Sequence, residues 1–210
     1  MSRAKSEPTS ELRQQALGLR LHGLLAHWSE VMAQPEQARC IEQWLTWEAE
    51  ERGRRSLERR LRGAHIGRFK PIADFDWGWP TQCDRAAVEE LMTLQFMADA
   101  TNVVFVGPNG VGKSMCATNI GHQAVLAGHT VLFVTAGQLL GDLAALDSDS
   151  TLRLRLRRYA APDLLLIDEV GYLSYSNRHA DLLFELISRR FYEDWLVKAA
   201  CSWRSKVAPP

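Results

Sequence analysis

A glycine-rich turn carries the first residues with a definite chemistry. The run from Gly107 to Ser114 reads Gly-Pro-Asn-Gly-Val-Gly-Lys-Ser and matches the pattern GxxxxGK[ST] at every position. A short apolar run at 103–106 precedes it and helix-forming residues follow, which is the context that a phosphate-binding loop requires. An ordinary glycine-rich turn between a strand and a helix is the alternative, and the complete match with both flanks disfavours it.

The residue types in this loop suit a bound polyphosphate. Glycines allow backbone conformations that side chains hinder, so successive N–H groups can surround an anion at the N-terminal end of a helix. Lys113 is then predicted to reach the β- and γ-phosphates, and the Ser114 hydroxyl to bind Mg²⁺. The predicted nucleotide-binding residues are Gly107, Pro108, Asn109, Gly110, Val111, Gly112, Lys113, Ser114 and Met115.

A pair of acidic residues supplies the second half of this chemistry. Asp168 and Glu169 follow the apolar run 164–167, and the carboxyl end of a buried strand lies at the sheet edge where α/β proteins bind ligands. We expect Asp168 to hold Mg²⁺, and Glu169 and Lys113 to act in catalysis, with Glu169 orienting or deprotonating the attacking water. Without the loop upstream, a helix-capping acid would be the better interpretation. With the loop, the pair predicts hydrolysis of a nucleoside triphosphate, whereas phosphoryl transfer by a metabolite kinase is a distant alternative.

Two basic clusters are the other candidates for a functional role. Between residues 52 and 70 there are eight basic residues and one acid, Glu58. Cations along a helix can bind the phosphates of nucleic acid, and a solvated helix face is the alternative. Trp44 and Trp47 lie just upstream, at a spacing more typical of core residues than of base stacking. The predicted DNA contacts are Arg52, Arg54, Arg55, Arg59, Arg60 and Arg62, and a second cluster, which fits a surface helix face equally well, comprises Arg153, Arg155, Arg157 and Arg158.

Hydrophobic periodicity predicts the elements that position these residues. Before residue 100 it predicts helices over 10–33, from about Glu36 to Arg62, and over Asp84–Asp99 with Asp84 as the N-cap. Beyond residue 102, strands at 103–106, 130–135 and 164–167 alternate with helices that end near Leu126 or span 138–146 and 177–192. Residues 151–159 fit a strand or a helix, and we favour a helix. The alternation predicts an α/β fold, a parallel sheet with helices on both faces, after a small all-helical region.

The composition limits the class of protein. The chain has 210 residues, of which 46% are hydrophobic and 24% charged, as in a soluble globular protein. Its 25 basic and 25 acidic residues balance, so the total charge says nothing about an anionic partner. No apolar run approaches the roughly 20 residues of a membrane span. The N-terminus lacks the apolar segment of a secretory signal, and the dispersed cysteines suggest buried thiols, so a cytoplasmic protein is expected.

These motifs also carry a family resemblance. The runs 107–143 and 157–190, with 19–32 and the ADFDW segment at 73–77, resemble the IstB-like transposition helper ATPases. These are bacterial insertion-sequence proteins related to the DnaC-type helicase loaders of the AAA+ class, and the resemblance extends from about Leu12 to Glu193. It implies a protein that binds ATP and Mg²⁺, contacts double-stranded DNA through its helical N-terminal region, forms homo-oligomers on DNA and stimulates a partner transposase. A helicase loader for replication is the related alternative.

The C-terminal end departs from this pattern. The family resemblance implies a further strand ending in Thr-Thr-Asn, and later a segment with an arginine that acts on a neighbour's nucleotide. Residues 194–210 contain no Thr-Thr-Asn and no segment that resembles the arginine finger. We therefore expect a gap at the centre of the sheet, which the short run 196–200 could fill only in part because it contains Lys198. We also expect a tail that is out of register through a frameshift, a deletion or truncation. On this hypothesis a remnant that binds nucleotide without hydrolysing it is a further alternative. The predicted regions are 1–66 (helical), 67–101 (linker and helix), 102–193 (partial ATPase core) and 194–210 (atypical tail).

Overall fold

The chain forms two compact units that divide after Glu58, inside a long helix. The computed structural model describes residues 8–79, 83–98, 101–172, 176–192 and 197–201. In those ranges no helix is both long enough and apolar enough to cross a membrane. The predicted functional regions, with a boundary at residue 66, stay a prediction.

The N-terminal unit is built from four helices, and the single helix predicted over 10–33 is wrong. They are α1 (Pro8–Gly18), α2 (His22–Ala26), α3 (Trp28–Met32) and α4 (Pro35–Gly63). Arg20 has a φ of 57°, a left-handed backbone that a right-handed helix cannot continue through. The break lets the chain turn, so that Leu19 and Trp28 pack with Leu45 of α4 in a small core.

Helix α4 confirms the helix predicted from about Glu36 to Arg62, and Gly53 does not interrupt it. Ion pairs at steps of three and four residues stabilise its surface, among them Arg52 with Glu48 at 2.6 Å. The interpretation of Trp44 and Trp47 as core residues is wrong, because their side chains are 58% and 55% exposed while Leu45 between them is buried.

The second unit contains a four-stranded parallel sheet, which confirms the predicted α/β fold. Its strands lie in the order β1-β4-β3-β2. The predicted helix over 151–159 is also confirmed, because Leu156 and Ala160 bury one face of it. The strands are β1 (Val104–Phe105), β2 (Val131–Thr135), β3 (Leu164–Asp168) and β4 (Val197–Cys201), and the helices around them are α7 (Lys113–Leu126), α8 (Ala136–Ala144), α9 (Asp149–Ala160) and α10 (Asn177–Tyr192).

Helices cover both faces of this sheet because side chains alternate along β3. Leu165 and Ile167 belong to the core formed with α8, α9 and α10. Leu166 points the other way, towards α7, where a Cβ added at Gly121 would lie 2.6 Å from its Cδ1 atom. The glycine therefore lets α7, the helix that follows the phosphate loop, approach the sheet closely.

Strand β4 overturns the expected gap at the centre of the sheet. It pairs in parallel with β1 on one side and with β3 on the other, with Ala200 opposite both Val104 and Ile167. The segment 197–201 thus supplies the backbone partners that β1 and β3 would otherwise lack, and Lys198 does not prevent this. The expected gap is wrong because pairing with β1 and β3 requires only extended backbone, which Val197 to Cys201 supplies without a Thr-Thr-Asn end.

Two short helices join the linker to the sheet, where one helix was predicted over Asp84–Asp99. They are α5 (Arg85–Met92) and α6 (Gln95–Ala98), separated at Leu94, whose φ of 64° again breaks a right-handed helix. The predicted N-cap is confirmed, since the Asp84 carboxylate accepts a hydrogen bond from the Ala87 N–H at 3.0 Å.

Candidate nucleotide-binding site

The phosphate loop joins β1 to α7 through a left-handed backbone. Gly110 and Gly112 have φ values of 79° and 88°, which residues with a Cβ rarely adopt. Gly112 is the N-cap of α7, and its carbonyl accepts the Cys116 N–H at 3.0 Å. The first N–H groups of α7 therefore face the loop, where the helix dipole favours an anion.

The Lys113 side chain folds back over this loop. Its ammonium group donates hydrogen bonds to the carbonyl oxygens of Gly107 at 3.0 Å and Pro108 at 2.7 Å. These contacts hold a positive charge above the backbone donors of the loop. The arrangement suits a group with several negative oxygens, such as a triphosphate.

A hydroxyl and a carboxylate meet beside the loop. The Ser114 Oγ donates a hydrogen bond to Asp168 Oδ2 at 2.7 Å, which joins the start of α7 to the end of β3. In the described parts of the chain, no group of three or more His, Cys, Asp or Glu side chains could hold a metal by itself. Two oxygen ligands that need phosphate oxygens and waters to complete the shell fit Mg²⁺, which is usually bound in this way.

Glu169 follows in a strained backbone. Its φ of 60° is left-handed, a conformation that costs a residue with a side chain about 1–2 kcal/mol. Its N–H donates to Asp168 Oδ1 at 2.9 Å, so each oxygen of Asp168 has its own partner. The sharp turn after β3 separates the two carboxylates. Asp168 accepts the hydrogen bond from Ser114, and Glu169 is exposed at the cavity.

The predicted loop and the predicted acidic pair line one cavity of about 520 Å³, a volume large enough for a nucleotide. Gly107 and Pro108 contribute the carbonyls that hold Lys113, and Val111 is buried beneath the loop. Thus the structure brings together both halves of the chemistry expected from the sequence. The lining residues are Asn109, Gly110, Gly112, Lys113, Ser114, Met115, Asp168 and Glu169.

Sequence reasoning missed two residues next to this site. Phe75 of the linker packs against Gly112, and the buried amide of Asn119 in α7 holds the linker backbone. The sequence predicts only a linker for the segment that contains Phe75, within the region 67–101. The available signal is an asparagine in the helix that follows the phosphate loop, because an amide buried there must find hydrogen-bond partners.

The structure separates the arginines of the first basic cluster. Arg54 and Arg55 both bind Glu51, and their hydrogen bonds lower the pKa of Glu51 to about 2. Arg52 binds Glu48 and also donates to the Leu19 carbonyl oxygen at 2.6 Å. The first half of the cluster is thus engaged within the N-terminal unit, by acids just upstream of the stretch counted in the sequence.

The other half of the cluster lies beside the second one. Arg59, Arg60 and His65 line a cavity of about 380 Å³ together with Arg158 of α9. Within the second cluster, Arg155 binds Asp142 at 2.5 Å, whereas Arg153, Arg157 and Arg158 are exposed. Residues far apart in the sequence therefore form one basic surface on the second unit, which we call the basic groove (Arg59, Arg60, His65 and Arg158).

The comparisons with known proteins identify the family. The family model described as IstB-like ATP binding protein matches residues 14–200, and the chain belongs to this family. The match extends beyond the expected end near Glu193 and includes nearly all of β4. An insertion sequence IS21 ATP-binding protein of Pseudomonas aeruginosa is 31% identical over 182 residues, covering 87% of this chain and 68% of the relative.

Another relative supports this assignment, and a solved structure shares the fold. An insertion sequence IS5376 ATP-binding protein of Geobacillus stearothermophilus is 34% identical, covering 67% of this chain and 56% of the relative. The chain thus spans roughly half to two thirds of the length of these relatives. The crystal structure of DnaI superposes with a TM-score of 0.54 at 19% identity, covering 66% of this chain and 74% of that one. That likeness shows the P-loop fold of AAA+ ATPases alone.

Proposed function

We propose that this chain is an ATP- and DNA-binding helper of transposition that hydrolyses ATP with Mg²⁺. The observation that carries the proposal is the 2.7 Å hydrogen bond between Ser114 and Asp168, which brings the phosphate loop and the acidic pair to one cavity. Membership of the IstB-like family, with relatives in insertion sequences, supports the role in transposition. A partner transposase, assembly of copies on DNA and a cytoplasmic location belong to the same proposal.

The proposed chemistry assigns each side chain a separate task. The loop N–H groups and Lys113 bind the phosphates, with Lys113 exchanging its carbonyl partners for phosphate oxygens. Ser114 and Asp168 hold Mg²⁺, which when bound neutralises charge on the phosphates. Glu169 is the remaining carboxylate at the cavity, so it orients the attacking water and accepts its proton.

DNA contact is proposed for the basic groove in particular. Arg59, Arg60 and Arg158 gather on one surface, and each arginine that neutralises a phosphate releases counterions and strengthens binding. Arg52, Arg54 and Arg55 pair with Glu48 and Glu51 of the same helix, whose negative charges offset theirs. Arg62, which is exposed, completes the proposed set.

ATP hydrolysis measured with and without duplex DNA tests the proposal, beside a Lys113→Ala variant. We expect turnover that rises when duplex is added and that the substitution abolishes. ATP binding without turnover would favour the non-hydrolysing remnant. Turnover that ignores duplex DNA would contradict the DNA-linked role, and stimulation of a replicative helicase in place of a transposase would favour the helicase loader.

A further inference from the structure

A linker segment lies across the phosphate loop and its helix. We call residues 70–77 the linker strap; it runs from Lys70 through a 3-10 turn at Ile72–Asp74 to Trp77. All of it belongs to the second compact unit, together with the loop. Connecting segments usually vary in their contacts. The specific hydrogen bonds and ring contacts that this strap makes therefore indicate a role.

Asn119 fastens the strap to α7. Its side chain is buried, with 6% of the residue exposed. The amide nitrogen donates to the Lys70 carbonyl oxygen at 2.9 Å, and the amide oxygen accepts the Ile72 N–H at 2.8 Å. The same nitrogen also donates to the Met115 carbonyl oxygen at 2.8 Å, one turn earlier in α7. One side chain thus fixes both the strap and the first turns of the helix.

Phe75 is the part of the strap that reaches the loop. The 3-10 turn closes with a 3.1 Å hydrogen bond from the Phe75 N–H to the Ile72 carbonyl oxygen, and the buried ring lies over Gly112. A Cβ at position 112 would collide with the Cε2 atom of this ring, and the Cζ and Cδ2 atoms would lie 3.2 and 3.3 Å away. Gly112 is therefore required for its left-handed backbone and for the close approach of Phe75.

Other aromatic contacts hold the Phe75 ring in place. The Trp77 ring lies 4.6 Å from it between centroids, in a tilted arrangement. The Arg85 guanidinium stands 5.1 Å over the Trp77 ring, a cation–π contact that links the strap to α5. Phe75 thus contacts Trp77 of the strap as well as Gly112 of the loop.

We infer that Phe75 is a positioning residue that holds the Gly112 turn of the phosphate loop, with Asn119 fastening the strap that carries it. Gly112 joins the loop to α7, so a shift of its backbone redirects the N–H groups of Lys113 and Ser114, which face the phosphates. The inference rests on the proposed nucleotide binding. It predicts that Phe75 affects the binding of the phosphates and does not contact the base of the nucleotide.

Binding of ATP and of inorganic triphosphate, each with Mg²⁺ and measured by calorimetry, tests the inference. For Phe75→Leu we expect both affinities to fall about tenfold, within the usual range for an indirect coupling. Asn119→Ala should give a similar loss for both ligands. The matched control is Trp79→Leu, an aromatic residue of the neighbouring linker that is 66% exposed, which should stay within about twofold of the unaltered chain.

A second control separates positioning from stability. Leu186→Ala opens a cavity in the core under α10, lowers the melting temperature, and should leave both affinities unchanged when measured well below that temperature. If Phe75→Leu lowers the melting temperature and binds triphosphate normally, the inference is wrong. If it weakens ATP and spares triphosphate, Phe75 contacts the base and the inference is also wrong. If the unaltered chain binds neither ligand, the proposed function fails first and the inference falls with it.

Discussion

The phosphate-loop end of the sheet and the first basic cluster differ in how far the sequence determines which partners their side chains bind. At the loop, the side chains have defined partners within the site, such as the Ser114 hydroxyl, which donates to Asp168 at 2.7 Å. In the first basic cluster, arginines of one helix have different partners: Arg54 pairs with Glu51, and Arg60 donates a hydrogen bond to the Val125 carbonyl oxygen at 3.3 Å. A motif that fixes backbone geometry therefore predicts where a ligand binds. A run of like charges predicts only that positive side chains are present, and not what they bind.

Removing the carboxylate of Glu169 should give the largest effect. In Glu169→Gln we expect the rate of ATP hydrolysis to fall about 10²–10⁴-fold, as for loss of a general base, with ATP affinity nearly unchanged. Turnover and equilibrium binding measured on the same preparation check this. A variant that hydrolyses ATP at the original rate would remove Glu169 from the site.

Gly112→Ala should weaken ATP binding about tenfold or more. A left-handed backbone raises the free energy of a residue with a side chain by roughly 1–2 kcal/mol, so alanine should distort the loop. The Phe75 ring adds a collision at this position. The matched control is Gly128→Ala at the far end of α7. Gly128 also has a left-handed φ, of 103°, but a Cβ there would meet no atom within 4 Å. This variant should lose stability and keep its affinity for ATP. Equal affinities in the two variants would break the claim that loop geometry matters.

The basic groove should show a smaller effect, spread over several residues. Replacing Arg59, Arg60 and Arg158 by alanine should reduce the slope of log affinity for duplex DNA against log salt by about 2 to 3, near 0.9 for each phosphate that an arginine no longer neutralises. The control replaces Arg52, Arg54 and Arg55, which are held by Glu48, Glu51 and Glu58, and should change the slope by less than about 1. Slopes that change equally would make all the arginines interchangeable and remove the basic groove as a distinct surface.

The smallest expected effect concerns the contact that holds α9, and with it Arg158, against α8. Burial raises the pKa of the Asp142 carboxyl, and hydrogen bonds from Tyr159 and Arg155 outweigh burial, so the pKa lies below its ordinary value. Asp142→Asn should lower the free energy of unfolding at pH 7 by about 1–2 kcal/mol.

The pH dependence follows from the direction of that shift. Because the folded protein binds the Asp142 proton less tightly than the unfolded chain, the stabilisation is present above pH of about 4 and is lost as the pH falls below it. Denaturation of both proteins at pH 7 and at low pH checks this, with exposed Asp181→Asn as the control. A difference that persists unchanged in acid would contradict the role of the ionised carboxylate.

Prediction from sequence succeeded where local chemistry decides the structure. The loop, the strands at 131–135 and 164–168, and helices α7 and α10 follow from glycine spacing, short apolar runs and helical periodicity. It failed where tertiary packing decides, as at Arg20 and Leu94, whose left-handed backbones break predicted helices. The prediction also missed strand β4. This strand is stabilised by pairing with β1 and β3, which lie far away in the sequence, and no local pattern shows such pairing.

Equilibrium binding of ATP to the unaltered chain and to Lys113→Ala tests the central claim most directly. The claim is that the loop from Gly107 to Ser114 binds the phosphates. It predicts saturable, Mg²⁺-dependent binding that the substitution weakens roughly a hundredfold, since a charged hydrogen-bond donor is worth up to about 3 kcal/mol. Equal affinities for the two proteins, or no binding by the unaltered chain, would contradict it.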